Sequence, residues 1–546
     1  MKRKSAVMKL GALACVAVFA LSACGGSSSS ATGKDGKPTI NVQVILDARA
    51  EKMQKMGWTK QLATACDCNI NWINTGSAAW SNQKQATLAS GDVADVTLGG
   101  YGSGDMSTYG SLFMNLKPEL KSMPNVSKMF KADPYSEVVS TTYDGKIYGT
   151  PVVARPVTAR TSNHMFINKT WLDKLGLKVP TTWDELEKVL IAFKNDDPNG
   201  NGKADEIPMD FYTPGTDNFW LFQPNVLLSS MGIVVPNGPL GMYVDNGKVK
   251  NYLTDSRYKT LVQYMHKLWS DGVISPEAFT HDWSKFTSTA KGNGKTATVG
   301  FEWMWTPAGT FGADNYDQYV TIPSLEQSAN QKTSPVWSYN GDDLAYKIDQ
   351  EVVSSKLTDA KKTAALKFVD AFYSADMSVQ ARYGAFGTAV KKLGTNHYKI
   401  LNAPKGHEEA DWMFYQALGD AAPGWINSDM KLDLPTLDAQ VKPVDAVYDK
   451  DYKNVNFNKD ILYQNMPATK EQSDTMDTNT TNYAQYAMSQ FSQWVTKGGV
   501  DSGWDAYVAK LKQNKLEENV QIEQKVYNSY VKRMKKLGVN LNNFNE

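Results

Sequence analysis

Thr39-Ile40-Asn41-Val42-Gln43-Val44-Ile45-Leu46 alternates polar and apolar residues and then becomes wholly apolar, the pattern of a strand that ends deep in a core. Beyond it the residue pattern predicts a helical stretch over 51–64, a strand over 69–73, a helix over 83–89 and a strand over 95–98. Strands that alternate with helices belong to an α/β sheet covered on both faces. In open sheets of this kind ligands bind beyond the carboxyl ends of the strands. The segments to inspect are therefore Asp47 to Arg49, Thr75 to Trp80 and Gly99 to Asp105.

Upstream of that strand, Lys2-Arg3-Lys4 and an apolar run over 10–21 lead to Leu21-Ser22-Ala23-Cys24. A basic start, a short apolar stretch and small residues before a cysteine read as a secretory signal of the lipoprotein type. The pattern resembles a bacterial lipobox, which implies cleavage after residues 1–23 and lipid attachment to Cys24. The apolar run is well short of the roughly 20 residues that span a bilayer. One acyl chain binds marginally, and the diacylglyceryl group implied by the lipobox removes that shortfall. Residues 24–38, largely GGSSSSATGKDGKP, form a flexible tether that holds the body roughly 20 Å from the lipid. The expected location is the extracellular face of the cell membrane, with the chain lipid-anchored.

Removing residues 1–23 deletes Lys2, Arg3, Lys4 and Lys9 and no acid, so 58 basic against 57 acidic residues become 54 against 57. A near-neutral chain argues against nucleic acid as a partner, because phosphate binding needs a clustered basic surface. The length of 546 residues suffices for two or more domains with large cores. Of four cysteines only Cys66 and Cys68 remain after processing and lipidation; they either pair or stay as thiols. Fifteen Trp and 26 Tyr mostly fill cores, and a subset in a cleft would suit sugar rings.

Further along, Asp144 to Pro151 (DGKIYGTP) reads as a turn and short strand, followed by a strand over 164–168 and a helix over 171–177. At 180–186, PTTWDEL supplies a loop, an N-cap threonine and acids in a first helical turn. A set of motifs recurs in family order: SGDVAD at 90–95, DGKIYGTP, WLDKLGLKVPTTWDEL at 171–186, GNGKADEIP at 200–208, DGVISPEAFTHD at 271–282 and the closing stretch 504–533. In these segments the chain resembles the extracellular solute-binding proteins, family 1, of ABC importers, particularly the large oligosaccharide-binding lipoproteins of Gram-positive bacteria.

That resemblance implies a two-lobe periplasmic-binding-protein-like fold of type II, with a multi-strand hinge and the ligand cleft between lobes. Lobe one would hold residues 39–155 and return at 340–395. Lobe two would hold 156–339 and a helix-rich part at 396–546. The implied partners are an oligosaccharide and the ABC permease subunits, and the chain is expected to be a monomer.

Asp197-Pro198-Asn199-Gly200-Asn201-Gly202-Lys203-Ala204-Asp205-Glu206 carries oxygen side chains at relative positions 1, 3, 5, 9 and 10, with Gly at 6. It matches the first half of an EF-hand loop, in which Asp197, Asn199, Asn201 and the Lys203 carbonyl converge on calcium. Pro208 stands where the usual bidentate Glu would close the loop. Loops of alginate-oligosaccharide-binding proteins are similar and close with adjacent Asp and Glu, which points to Asp205 and Glu206. The expected ion is a structural calcium, and the alternative is a metal-free turn.

For the ligand, 297–305 reads as a strand running into a loop and resembles the segment whose Trp stacks on sugar in maltose-binding proteins. Trp303 is the first candidate platform and Trp305 the second, against core packing for either. Gly99 to Asp105 lets the backbone approach a ligand, Tyr101 to stack and Asp105 to accept hydroxyl bonds. Tyr212 and Trp220 follow an expected strand over 207–211. Trp80, Trp425 and Arg160, the last as a paired donor to sugar hydroxyls, complete the set. The five histidines form no HExxH spacing and G-x-S-x-G is absent. Carboxylate pairs for glycoside hydrolysis assemble in three dimensions and stay open. The reading is a non-enzymatic receptor for a neutral oligosaccharide. Its rivals are a cell-surface glycoside hydrolase or lyase, and a receptor for a peptide or other solute.

Overall fold

A computed structural model describes residues 33–542, apart from 34, 216–220, 237–239 and 408. The signal segment, Cys24, most of the tether and Trp220 lie outside the described residues. Two mixed sheets organise the chain. The first has the order Gly424–Trp425, Gly149–Val153, Tyr346–Val353, Val96–Leu98, Thr39–Leu46, Asn69–Gly76. Thr39–Leu46 is parallel to both neighbours, with Val42 opposite Trp72 and Val96. Its Ile40, Val42 and Val44 are buried, as the alternation requires. Tyr346–Val353 runs antiparallel between Val96–Leu98 and Gly149–Val153, so the chain returns to this sheet after building the second.

The second sheet has the order Tyr319–Ile322, His164–Asn168, Val299–Met304, Ile207–Met209. Its helix Trp183–Asn195 starts at Thr182, whose hydroxyl accepts from the Glu185 N–H at 3.2 Å. A small sheet of Val390–Gly394, His397–Ile400 and Lys431–Asp433 follows, and three long helices, Lys470–Lys497, Val500–Gln513 and Leu516–Lys536, close the chain. The fold is thus the two-lobe α/β class. Among the described residues no helix is long and apolar enough to cross a membrane.

Several local expectations change. The helix expected over 51–64 is a 3-10 turn, Met53–Lys55, and a short helix, Lys60–Cys66. Thr59 Oγ1 donates to the Met53 and Met56 carbonyls, both at 2.9 Å, taking acceptors that a continuous helix would use. Cys66 and Cys68 form a disulfide. Gly424–Trp425 pairs in parallel with Gly149–Val153, so a strand from the segment expected in lobe two belongs to the first sheet. The last residues of the expected tether are fixed to the body: Lys37 Nζ lies 2.6 Å from Asp67 and Asn69 Nδ2 donates to Asp35 at 2.9 Å.

Candidate ligand cleft and metal loop

A cavity of about 450 Å³ opens between the two lobes. One wall belongs to the second lobe: Phe222, Trp283, and Trp305 just past the strand Val299–Met304. The facing wall is Arg49, Tyr383, and Trp412 and Phe414 of the helix Glu409–Gln416. Trp283 opens the helix Trp283–Ala290, whose N-cap Asp282 accepts from the Lys285 N–H at 2.8 Å. That cap fixes the backbone beneath an indole that stays 44% exposed. Phe222 lies nearly parallel to it with centroids 6.1 Å apart, and Tyr212 meets it edge-on at 5.1 Å. Trp305 is half-buried, edge-on to the buried His164 at 6.0 Å.

On the opposite wall, the exit of the first strand clasps the helix Glu409–Gln416. Arg49 Nε and Nη2 donate to Asp47 at 2.8 and 3.1 Å, and Nη1 to Asp411 at 2.8 Å. The guanidinium sits 4.0 Å above the Phe414 ring. The hydrogen bond from Arg49 holds the Asp47 carboxyl below its ordinary range, against the opposing effect of partial burial. The Glu51 N–H donates to the Tyr415 carbonyl at 2.8 Å and Trp58 Nε1 to Gln416 at 3.1 Å, tying the helix to the sheet at two more points. Asp420, also at the cavity, is ion-paired with Arg382. The charges of Arg49 and Asp420 are therefore matched, Asp438 also lines the cavity, and the aromatic side chains sit among apolar ones such as Met304, Ile400 and Val441.

The predicted residues distribute unevenly around this cavity. Trp305 lines it. Trp303 does not: it is fully buried inside the strand, edge-on to Phe301 at 4.8 Å, because the sheet and its covering helices extend past it and end before Trp305. Trp80 is buried with Nε1 donating to the Gly100 carbonyl at 2.6 Å, and it meets Tyr101 edge-on at 5.4 Å. Tyr101 itself packs on Phe113 at 4.8 Å. Asp105 accepts from Lys84 at 2.9 Å and from the Gly102 N–H at 3.1 Å, so it caps the helix Ser103–Tyr109. Trp425 is buried in the first sheet.

Arg160 is engaged by other segments of the chain. It donates to Asp445 at 2.7 Å and Asp449 at 2.6 Å and lies 4.3 Å over Tyr452, clamping the crossing between lobes. Tyr212 stacks on Phe286 and props Trp283 from behind. The sequence reading missed Phe222, Trp283, Tyr383, Trp412 and Phe414. The density of large side chains in Trp412-Met413-Phe414-Tyr415 was a usable signal.

The 197–206 loop folds around Asp197. Its carboxylate accepts from the Gly200, Asn201 and Gly202 N–H groups at 3.0, 3.1 and 3.0 Å. Asn201 Nδ2 and Asn199 Nδ2 both donate to Asp205, which lowers its pKa. Glu206 behaves oppositely: burial, then the charges of Asp197 and Asp205, push it up, and its buried Oε1 has no hydrogen-bond partner among the described residues. Among those residues no three of His, Cys, Asp and Glu form a metal set by themselves. A cation here would draw on amide and carbonyl oxygens as well, as EF-hand loops do.

A model of the bacterial extracellular solute-binding protein family matches residues 49–379. The fructooligosaccharide ABC transporter substrate-binding protein FusA of Streptococcus pneumoniae is 28% identical over 487 residues, 85% of each chain. A solved structure of FusA, described as an EF-hand mutant in complex with fructo-nystose, covers 90% of this chain and 99% of its own with a TM-score of 0.74 at 24% identity. A solute-binding protein of Bifidobacterium longum infantis, described as HMO binding and ABC-transporter associated, is 36% identical, covers 91% of this chain and all of its own, and has a TM-score of 0.85. The match of the family model over most of the chain, carried by a two-lobe fold with a cleft between the lobes, places this protein in the bacterial extracellular solute-binding protein family.

Proposed function

We propose that the chain is the substrate-binding component of an ABC importer, which captures a neutral oligosaccharide between its lobes and delivers it to the permease. The observation that carries this reading is the inter-lobe cavity walled by Trp283, Trp305, Trp412 and Phe414, with Arg49 and Asp420 matched by partners. Aromatic faces cover the apolar faces of sugar rings, and a few polar groups at the rim orient hydroxyls. Both walls contribute, so bound glycan stabilises the closed state over the open one. FusA, related along most of the chain, is a binding protein for fructooligosaccharides. The protein acts as a monomeric receptor without catalysis of its own, held at the outer face of the membrane by lipid on Cys24.

The 197–206 loop fits calcium. Asp197, Asn199, Asn201, the Lys203 carbonyl, Asp205 and Glu206 would hold it, and the unpartnered Glu206 Oε1 is the atom such an ion would satisfy. The ion supplies only cross-linking of the loop; the chain's residues fix the helix Trp183–Asn195 to the strand Ile207–Met209 on either side.

Isothermal titration of a chain starting at Gly25 against a glycan library tests the main reading. Saturable binding without release of shorter products supports it. Product release would favour the hydrolase or lyase, and response to peptides alone would favour the other solute receptor.

A further inference from the structure

Asp420 keeps one oxygen open on the cavity wall. It stands in the 3-10 turn Gly419–Ala421, between the helix Glu409–Gln416 and the strand Gly424–Trp425. Its Oδ1 accepts from Arg382 Nη2, and its Oδ2 has no hydrogen-bond partner among the described residues. That oxygen is not sealed off, because the Asp420 side chain is 47% exposed while that of Arg382 is only 9% exposed. Burial works to raise the Asp420 carboxyl, but the charges of Arg382, Lys347 and Arg49 and the bond from Arg382 outweigh it and hold the group below its ordinary range. The cavity is thus met by an ionised acceptor that the chain has already oriented.

Two contacts set this carboxylate beside an aromatic ring. Gly419 has a φ of 56°, and a Cβ there would come within 2.6 Å of the Phe414 ring, so glycine lets the turn lie against it. The Leu418 N–H donates to the Ala381 carbonyl at 2.9 Å, which ties the same turn to the helix Ala375–Tyr383 that carries Arg382. Phe414 and Asp420 both line the cavity. A sugar ring laid on an aromatic face turns its hydroxyls outward, toward the polar groups beside that face. Serving as counter-ion to Arg382 occupies one oxygen of Asp420 and needs no opening onto the cavity.

We infer that Asp420 is a specificity-determining anchor of the cleft, its Oδ2 accepting from a free hydroxyl of the sugar unit seated against Phe414. The inference rests on the glycan reading of the main cavity and names the group on the glycan that is read. A unit deoxygenated at that hydroxyl offers no donor and leaves the carboxylate oxygen unpaired when the lobes close. A hydrogen bond to a charged group corresponds to about tenfold to a hundredfold in affinity.

The test takes every neutral glycan that the chain from Gly25 retains on an array holding kestose, maltotriose, cellotriose and chitotriose. Each is titrated with its monodeoxy forms against the wild type and Asp420→Asn. Asp420→Asn should bind the parent glycan at least about tenfold more weakly. One monodeoxy form should lose at least about tenfold on the wild type and less than about twofold on the variant, and the other forms should lose equally on both. Asn leaves the buried Arg382 without its counter-charge, so melting temperatures accompany the titrations. Asp420→Glu, which keeps the charge but moves the oxygen, is titrated in parallel under the same criteria. A merely structural counter-ion would weaken every form alike. Parent binding unchanged in both variants, or every monodeoxy form losing the same factor on the wild type and the variants, would overturn the inference and leave the glycan reading standing. If no glycan is retained, the glycan reading fails and this inference with it.

Discussion

Replacing Trp303 by Ala separates stability from recognition. The indole is fully buried within the strand Val299–Met304. Its Nε1 makes no hydrogen bond among the described residues, so truncation breaks none and leaves no new orphan. The cost is the lost transfer energy plus the cavity left behind, about 3–5 kcal/mol for a buried Trp. If the second lobe unfolds as one unit of roughly 200 residues, each kcal/mol moves its midpoint by about 2–4 °C, so the lobe should melt on the order of 10 °C lower. Calorimetric scans and urea titration of the ligand-free chain read the stability, and glycan titration at a temperature where both proteins are folded reads the affinity. Expected is a large stability loss with affinity changed less than about threefold. Wild-type stability combined with abolished binding would refute the packing assignment and return Trp303 to the site.

The mirror experiment is Trp283→Ala, which should weaken glycan binding at least about tenfold while moving the melting midpoint little, because the indole is already substantially exposed; unchanged affinity would remove it from the cleft wall. Calcium added after chelation should raise the melting temperature by mass action, about 2.7 kcal/mol at a hundredfold excess over the dissociation constant. Glu206→Gln should blunt that rise, and a wild type indifferent to chelation would exclude the ion. Asp349 is pushed up to about 7, first by burial and then by the charge of Asp105. The folded chain thus keeps a proton that the unfolded chain releases near pH 4, and stability from this group falls as pH rises from about 4 to 7. Asp349→Asn should flatten that fall and stabilise the chain at pH 8 by on the order of 4 kcal/mol, and parallel pH curves for the two proteins would contradict it. Cys24→Ala should release the protein from membranes with glycan affinity intact; membrane retention would disprove the lipid anchor.

How much was legible depended on the range over which the determining forces act. Thr39–Leu46 was readable to the residue because alternation is a local consequence of the pleat. The helix Glu409–Gln416 was not, because Trp412, Met413 and Phe414 stand side by side without a helical stripe and Arg49, which holds it, is 362 positions away from Asp411. Trp303 and Trp305 share one strand phase in sequence; only the tertiary ending of the sheet makes one core and the other wall. Arg160 looked available for sugar because its partner Asp445 lies 285 positions downstream. Tyr101, Trp80 and Asp105 sit beyond strand ends as expected, yet neighbours there engage them: Trp80 donates to the Gly100 carbonyl, Tyr101 packs between Trp80 and Phe113, and Asp105 accepts from Lys84.

The pinning of Asp35 and Lys37 against Asn69 and Asp67 has a mechanical meaning. Whatever precedes Gly33 leaves the body at the amino end of the first sheet, whereas the cavity lies at its carboxyl end. Eight strand residues at about 3.3 Å each put roughly 26 Å between leash and mouth. The ion pair of Lys37 with Asp67 and the hydrogen bond from Asn69 to Asp35 join this amino end to the start of the second strand, so a pull through the proposed lipid anchor would be shared by two strands of the sheet. Under the proposed anchor at Cys24, the opening would point away from the attachment point, and handing cargo to a permease would require the receptor to roll.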